Sequence, residues 1–348
     1  MTNLRDLLER VKENELIASR FQKVENKILS VLNFKDFFEI LLSEIMITFK
    51  MPYVWITFIE NSDATDAILK SSNDSPLLKE RVNIISESLF KGLVGESTSP
   101  ILVNQDLKPY FKMLPENRKY FIRSMAITPI SLDGKIIGSL NQGDSDCLRF
   151  DPDFDTSLLE QLSNKVSLCL SNVTAHEKIK FLAYHDPLTE LLNRRVMESV
   201  IKREFHRSKR YSSELSLAFI DLDDFKTVND LYGHETGDCL LKYVAKKLVE
   251  MTRETDTVAR FAGDEFVVIL PETDEEMATV LLERVQAYFR NNPLNQSLRN
   301  IPVSISFGIA STRDLSLTDP EIFLKKADQV LYQAKMNSKK YKTLSNDR

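Results

Sequence analysis

Two acidic residues stand where a chain can put oxygen ligands to work. Asp221 closes the apolar run Leu215-Ser-Leu-Ala-Phe-Ile220, and Asp264 lies in the turn Ala262-Gly-Asp264 between two strand-like runs. Apolar strands that feed carboxylates into turns supply hard oxygen donors, and Mg²⁺ takes such donors while keeping bound phosphate and water. Two carboxylates and a nucleoside triphosphate would complete a site. Taken singly, an Asp at a strand end also reads as a turn or helix-cap residue. Glu265 reads as a second ligand, as the base for a hydroxyl, or as a strand-edge glutamate paired with a lysine. His185 and His234 read as structural turn residues.

The elements that must position these groups alternate. Hydrophobic periodicity predicts helices over Arg194–Tyr211, Asp238–Thr252, Asp274–Asn291 and Pro320–Met336. It predicts strands over Leu215–Asp221, Thr257–Arg260, Glu265–Leu270 and Val303–Ala310. This is an α/β domain, residues 185–348, around a central mixed sheet with an antiparallel hairpin. Residues 33–157 have another texture, with β-rich runs at Pro52–Ile59, Ile101–Val103, Met125–Ile130 and Lys135–Leu140. Asp133-Gly134 marks a tight hairpin turn. An α+β module with an antiparallel sheet and flanking helices follows, and Asn141, Gln142 and Asp144 fall where a turn or a pocket wall is expected.

Helices bracket that module. Over residues 1–32 the positions Leu7, Val11, Ile17, Phe21, Val24, Ile28 and Val31, with Asn14 among them, step by three and four. Such a seam suits a helix pair or a helix lying on its own domain. Residues 158–184 continue the pattern through Leu159, Leu162, Val166, Cys169 and Val173 without Gly or Pro, predicting one helix between the halves. If it pairs with its twin in a dimer, signals pass mechanically.

Composition narrows the classes further. The 348 residues suit about two domains. Hydrophobic content of 43% and charged content of 28% set aside disordered and fibrous readings. A net charge of −5 argues against nucleic acid or an anionic membrane as partner, and Lys325, Lys326, Lys339, Lys340 and Lys342 read as a solvated helix face with a few members reaching phosphate. Cys147, Cys169 and Cys239 form no C-x-x-C pair, and no run reaches the ~18 apolar residues of a membrane span. A cytoplasmic location is expected.

Six motifs carry a resemblance. They are Asp186-Pro-Leu-Thr-Glu-Leu-Leu-Asn-Arg194, Asp221-Leu-Asp-Asp-Phe-Lys226, Val228-Asn-Asp-Leu-Tyr-Gly-His234, Gly237-Asp238, Arg260-Phe-Ala-Gly-Asp-Glu-Phe266, and Ala327-Asp328 through Leu331-Tyr-Gln-Ala-Lys335. Together they resemble a GGDEF domain of the nucleotidyl-cyclase-like diguanylate cyclases. In its order of elements the N-terminal module resembles a GAF domain. The stretch from Gly138 to Ser163 is similar to the GAF-related family DUF484.

The resemblance implies condensation of two GTP into cyclic di-GMP with release of two pyrophosphates. It implies Mg²⁺ or Mn²⁺ on Asp221, Asp264 and the Leu222 carbonyl, with Glu265 as a further catalytic candidate. Asn229 and Asp238 would read guanine, although each also reads as a helix cap. Lys335, Lys226, Lys339 and the backbone at Asp224 and Phe225 would hold the phosphates. Because each domain takes one GTP, a homodimer is implied. Arg253-Glu-Thr-Asp256 matches the family's product-inhibition motif, with an ion pair at a helix end as the plainer reading, and Arg284 is a possible secondary contact. A silent cyclic di-GMP receptor is the alternative function. The GAF-like module would bind an unidentified small molecule, a cyclic nucleotide being one candidate.

Four positions depart from the family pattern. Ala262 replaces a Gly, where a methyl restricts positive φ. Ser338-Lys339 replaces Gly-Arg, exchanging a forked guanidinium for a point charge and implying a weaker triphosphate grip. Glu190 replaces a Gly, with no consequence legible in the sequence.

Overall fold

The structure, a computed structural model, describes residues 4–60, 65, 68–70, 75–116, 120–296 and 299–346. The side chains of residues 4–10, 13, 14, 296, 299 and 337–346 are outside that description, and with them the predicted seam positions Leu7 and Asn14 and the phosphate candidate Lys339. The chain forms two compact units, Met1–Ile179 and Lys180–Arg348.

In the first unit α1 (Leu4–Ile28) precedes α2 (Phe34–Phe49). Asn33 caps α2 by accepting the Asp36 amide at 2.9 Å, and Lys50 ends it in the left-handed region. A five-stranded sheet follows, built from β1 (Tyr53–Ile59), β2 (Val82–Ile85), β3 (Ile101–Val103), β4 (Ser124–Leu132) and β5 (Lys135–Asp144), in the order β2-β1-β5-β4-β3. α3 (Pro76–Arg81) and α4 (Glu87–Val94) flank β2. Asp133 and Gly134, at φ 51° and 80°, make the two-residue turn that joins β4 to β5. α5 (Ser157–Tyr184) buries Leu162, Val166, Leu170 and Val173 in the core shared by α2 and β1.

Two expectations are corrected in this unit. The sheet is not wholly antiparallel, because β1 and β2 run parallel; α3 lies in the connection between them, and a crossover of that length allows the parallel direction. Asn141, Gln142 and Asp144 belong to β5 and not to a turn. Asn141 is fully buried, donating to Thr57 Oγ1 at 2.9 Å and accepting from Ser139 Oγ at 2.9 Å, so the strand absorbs a polar residue by satisfying it. The second half of α1 lies on its own unit, with Val24 and Ile28 fully buried, whereas Val11 and Leu16 are exposed.

In the second unit α6 (Arg194–Tyr211) leads into β6 (Leu215–Leu222), α7 (Phe225–Tyr232) and α8 (His234–Met251). The hairpin β7 (Thr257–Ala262) and β8 (Glu265–Pro271) follows, then α9 (Glu275–Asn291) and a short ribbon of β9 (Leu294–Gln296) and β10 (Arg299–Ile301). β11 (Ile305–Ser311) and α10 (Pro320–Asn346) complete it. The sheet order is β11-β6-β8-β7 with antiparallel ladders, and the parallel component is the bridge between Leu192 and Ala259.

Alternation along the strands sends Ala218, Ile220, Phe266 and Val268 toward α8 and α9, and Leu217, Phe219, Val267 and Ile269 toward α6 and α10. Both faces are covered, and at the strand ends lie two carboxylates, Asp221 buried and Asp264 half-buried. The helix predicted from Asp238 begins at His234, and α7, which the periodicity did not predict, precedes it; Gly233 at φ 86° separates the two.

Candidate active site

The end of the central strand β6 gathers the acidic groups. Asp221 is paired across the ladders with Glu265 of β8 and Ser306 of β11. The Leu222 amide donates to the Asp264 carbonyl at 3.2 Å, which brings the end of β6 against the signature turn. That turn takes its left-handed residue at Gly263, φ 50°; Ala262 is outside that region, so its methyl adds no backbone strain. Arg260 fixes the turn from below. It donates to the Gly263 carbonyl through Nε at 2.9 Å and Nη2 at 2.7 Å, and to Asp186 Oδ1 through Nη1 at 2.8 Å. The opening motif thus braces the hairpin.

The electrostatics favour a cation. Burial pushes the Asp221 carboxyl up, Asp264 and Asp223 add to the rise, and Lys335, whose ammonium bonds Oδ1, only partly offsets it. Glu265 is pushed up by burial and by Asp221, Asp264 and Asp328. Asp221, Asp264 and the Leu222 carbonyl are the hard-oxygen donors this strand end could offer a metal ion. Among the described residues no three acidic, histidine or cysteine side chains form a ready cage. Such a set suits Mg²⁺, which fills its remaining positions with water and phosphate oxygens.

The turn after β6 leads to the next candidates. Asp224, at φ 56°, starts α7 without a side-chain cap, and Lys226 is exposed. On α7, Asn229 Oδ1 is buried without a hydrogen-bond partner. α8 reaches it through Gly237, where a Cβ would lie 1.9 Å from that oxygen, and Asp238 follows exposed at the same helix start.

Arg253 and Asp256 are joined through the backbone. Asp256 Oδ2 accepts the Arg253 amide at 2.8 Å, Asp256 Oδ1 is buried without a partner, and the Arg253 side chain is exposed. An adjoining cavity of about 300 Å³ is lined by Arg203, Arg207 and Arg253 among others. Spacing alone did not mark Arg203 and Arg207, because they lie on α6, far in sequence from Arg253. Arg284 instead donates to the Met251 carbonyl at 3.1 Å. His185 accepts its structural reading, with Nδ1 2.9 Å from the Glu190 carbonyl and its ring stacked on Phe181.

Residues 183–341 match the family described as diguanylate cyclase, GGDEF domain. The chain is 26% identical to diguanylate cyclase A of Treponema denticola over 80% of its own length and 72% of that relative. It is 39% identical to diguanylate cyclase DgcP of Pseudomonas aeruginosa over 44% of its length, but spans 22% of DgcP. Among solved structures, the GGDEF domain of DgcB from Caulobacter crescentus in complex with c-di-GMP is 28% identical, covers 45% of this chain and 89% of that one, and gives a TM-score of 0.43. The named relatives and the family match support diguanylate cyclase activity in this half of the chain. Over residues 183–341, then, the chain is similar to the GGDEF domain of diguanylate cyclases.

Proposed function

We propose that the protein condenses two GTP molecules into cyclic di-GMP, releasing two pyrophosphates. The observation that carries this reading is the meeting of Asp221, Asp264, Glu265 and Lys335 at the end of one central strand. A divalent ion, Mg²⁺ or Mn²⁺, held by Asp221, Asp264 and the Leu222 carbonyl, would polarise the α-phosphate and neutralise the departing pyrophosphate. The unpartnered Asn229 Oδ1 and the Asp238 carboxylate are acceptors suited to the guanine N1–H and amine, a pair of donors that adenine does not present together. Lys335 and Lys226, with the backbone at Asp224 and Phe225, offset the charge of the terminal phosphates. The raised proton affinity of Glu265 fits a base that takes the 3′-hydroxyl proton as the new O–P bond forms and the bond to pyrophosphate breaks.

Each domain offers one guanine site, so the attacking hydroxyl belongs to a second copy's nucleotide and the working unit is a homodimer. Arg253 and Asp256 take the product and restrain synthesis; the Asp256 Oδ1 left without a hydrogen-bond partner supports this. The same oxygen favours the second reading, a silent cyclic di-GMP receptor. Residues 33–157 act as a GAF-like sensor of a small molecule, a cyclic nucleotide being one candidate, and the protein works in the cytoplasm. Among the described residues no helix is long and apolar enough to cross a membrane. Substitution Asp264→Ala should abolish synthesis while cyclic di-GMP still binds at Arg253. Undiminished synthesis would sink the catalytic assignment, and binding without synthesis in the unsubstituted protein would favour the receptor.

A further inference from the structure

Between the metal candidate Leu222 and the phosphate candidate Asp224 stands Asp223, which has no role in the scheme above. Its backbone and both of its carboxylate oxygens are engaged with one partner segment. The Asp223 amide donates to the Ser304 carbonyl at 2.9 Å. Ser304 Oγ donates to Asp223 Oδ2 at 2.6 Å, and Ser306 Oγ donates to Oδ1 at 2.6 Å. Hydroxyl-to-carboxylate bonds of that length belong to the stronger charge-assisted class. The β6–β11 ladder ends at Leu222 opposite Ile305, and the chain turns sharply into α7 with Asp224 at φ 56° and no side-chain cap. Beyond the ladder, three hydrogen bonds at Asp223 tie the start of this turn to β11 and its approach.

We propose that Asp223, clamped by Ser304 and Ser306, is a positioning residue that aims the Leu222 carbonyl and the backbone amides at the start of α7 toward the metal and phosphates of bound GTP. This rests on the cyclase reading given above. With both oxygens taken by serine hydroxyls, Asp223 acts through the turn and does not itself touch substrate.

The test replaces the donors and leaves the carboxylate in place. The double variant Ser304→Ala/Ser306→Ala is compared with Ser304→Thr/Ser306→Thr, which keeps both hydroxyls. Three quantities are read on the full chain: binding of a non-hydrolysable GTP analogue with Mg²⁺, the Mg²⁺ midpoint for turnover, and the melting temperature. The alanine pair should weaken Mg²⁺-dependent analogue binding by about ten- to a hundredfold and raise the Mg²⁺ midpoint, with the threonine pair close to the unsubstituted protein. A lower melting temperature with unchanged analogue binding and unchanged Mg²⁺ midpoint would overturn the proposal, since the clamp would then serve stability alone. Analogue binding by the unsubstituted protein without cyclic di-GMP synthesis would count against the cyclase reading, and the clamp would still be decided by binding. Absence of any analogue binding would overturn both.

Discussion

At the scale of single residues, two backbone positions give direct tests. Glu190 sits at φ 59°, which costs a non-glycine residue roughly 1–2 kcal/mol relative to its preferred regions. Glu190→Gly should therefore raise stability by about 1 kcal/mol or somewhat less, after allowing for the greater freedom of glycine when unfolded; a lowered melting temperature would contradict this. Gly237 has the opposite requirement. Its missing Cβ leaves room for Asn229 Oδ1, so Gly237→Ala should displace that amide and raise KM for GTP by about tenfold or more, measured against kcat in the same assay. The paired carboxylates, Asn229 and Asp238 were legible because motif spacing records them in order. Asp223 was not legible, because its serine partners lie 81 and 83 positions away and only β6–β11 pairing brings them together. The consequence of Ala262 is hidden for a similar reason: sequence does not say which residue of a turn takes positive φ, and here it is Gly263.

At the scale of elements, the braces around the hairpin decide stability. Burial tends to raise Asp186, but hydrogen bonds from Arg260 and Thr189 outweigh it and hold its carboxyl below the usual value of 3.8. A depressed folded-state pKa contributes stability that is present above the unfolded value and is lost as pH falls through the folded one. Asp186→Asn should thus lower stability at pH 7 by about 1.5–3 kcal/mol, and its difference from the unsubstituted protein should shrink in denaturation curves taken below pH 3.8. A difference independent of pH would show that the charge is not the source. On the opposite face, a Cβ at Gly308 would meet the Leu331 amide nitrogen at 2.1 Å and the Ala327 carbonyl at 2.5 Å. Both are backbone atoms of α10, which carries Lys335. Gly308→Ala should destabilise by about 1–3 kcal/mol and weaken GTP binding together, checked by melting and analogue titration. Long periodic helices and apolar strands were legible from sequence. α7 was not, since eight residues hold barely two turns of periodicity, and β2 was hidden by being four residues long beside α3.

At the scale of the whole molecule, the chain's division at residues 179 and 180 predicts separable folding. The segment 180–348 has its own two-faced core and should melt cooperatively by itself, while the full chain should show two transitions in calorimetry. A segment that stays unfolded alone would contradict that division. Cyclic di-GMP synthesis is what the acidic end of β6 is proposed to perform. The most direct test is incubation of the purified full chain, freed of any bound cyclic di-GMP, with GTP and Mg²⁺, followed by chromatographic identification of the nucleotides. Formation of cyclic di-GMP with two pyrophosphates per product, at a rate that falls as product accumulates, is the predicted result. GTP left unconverted, in a dimeric preparation that still binds GTP, would contradict the account.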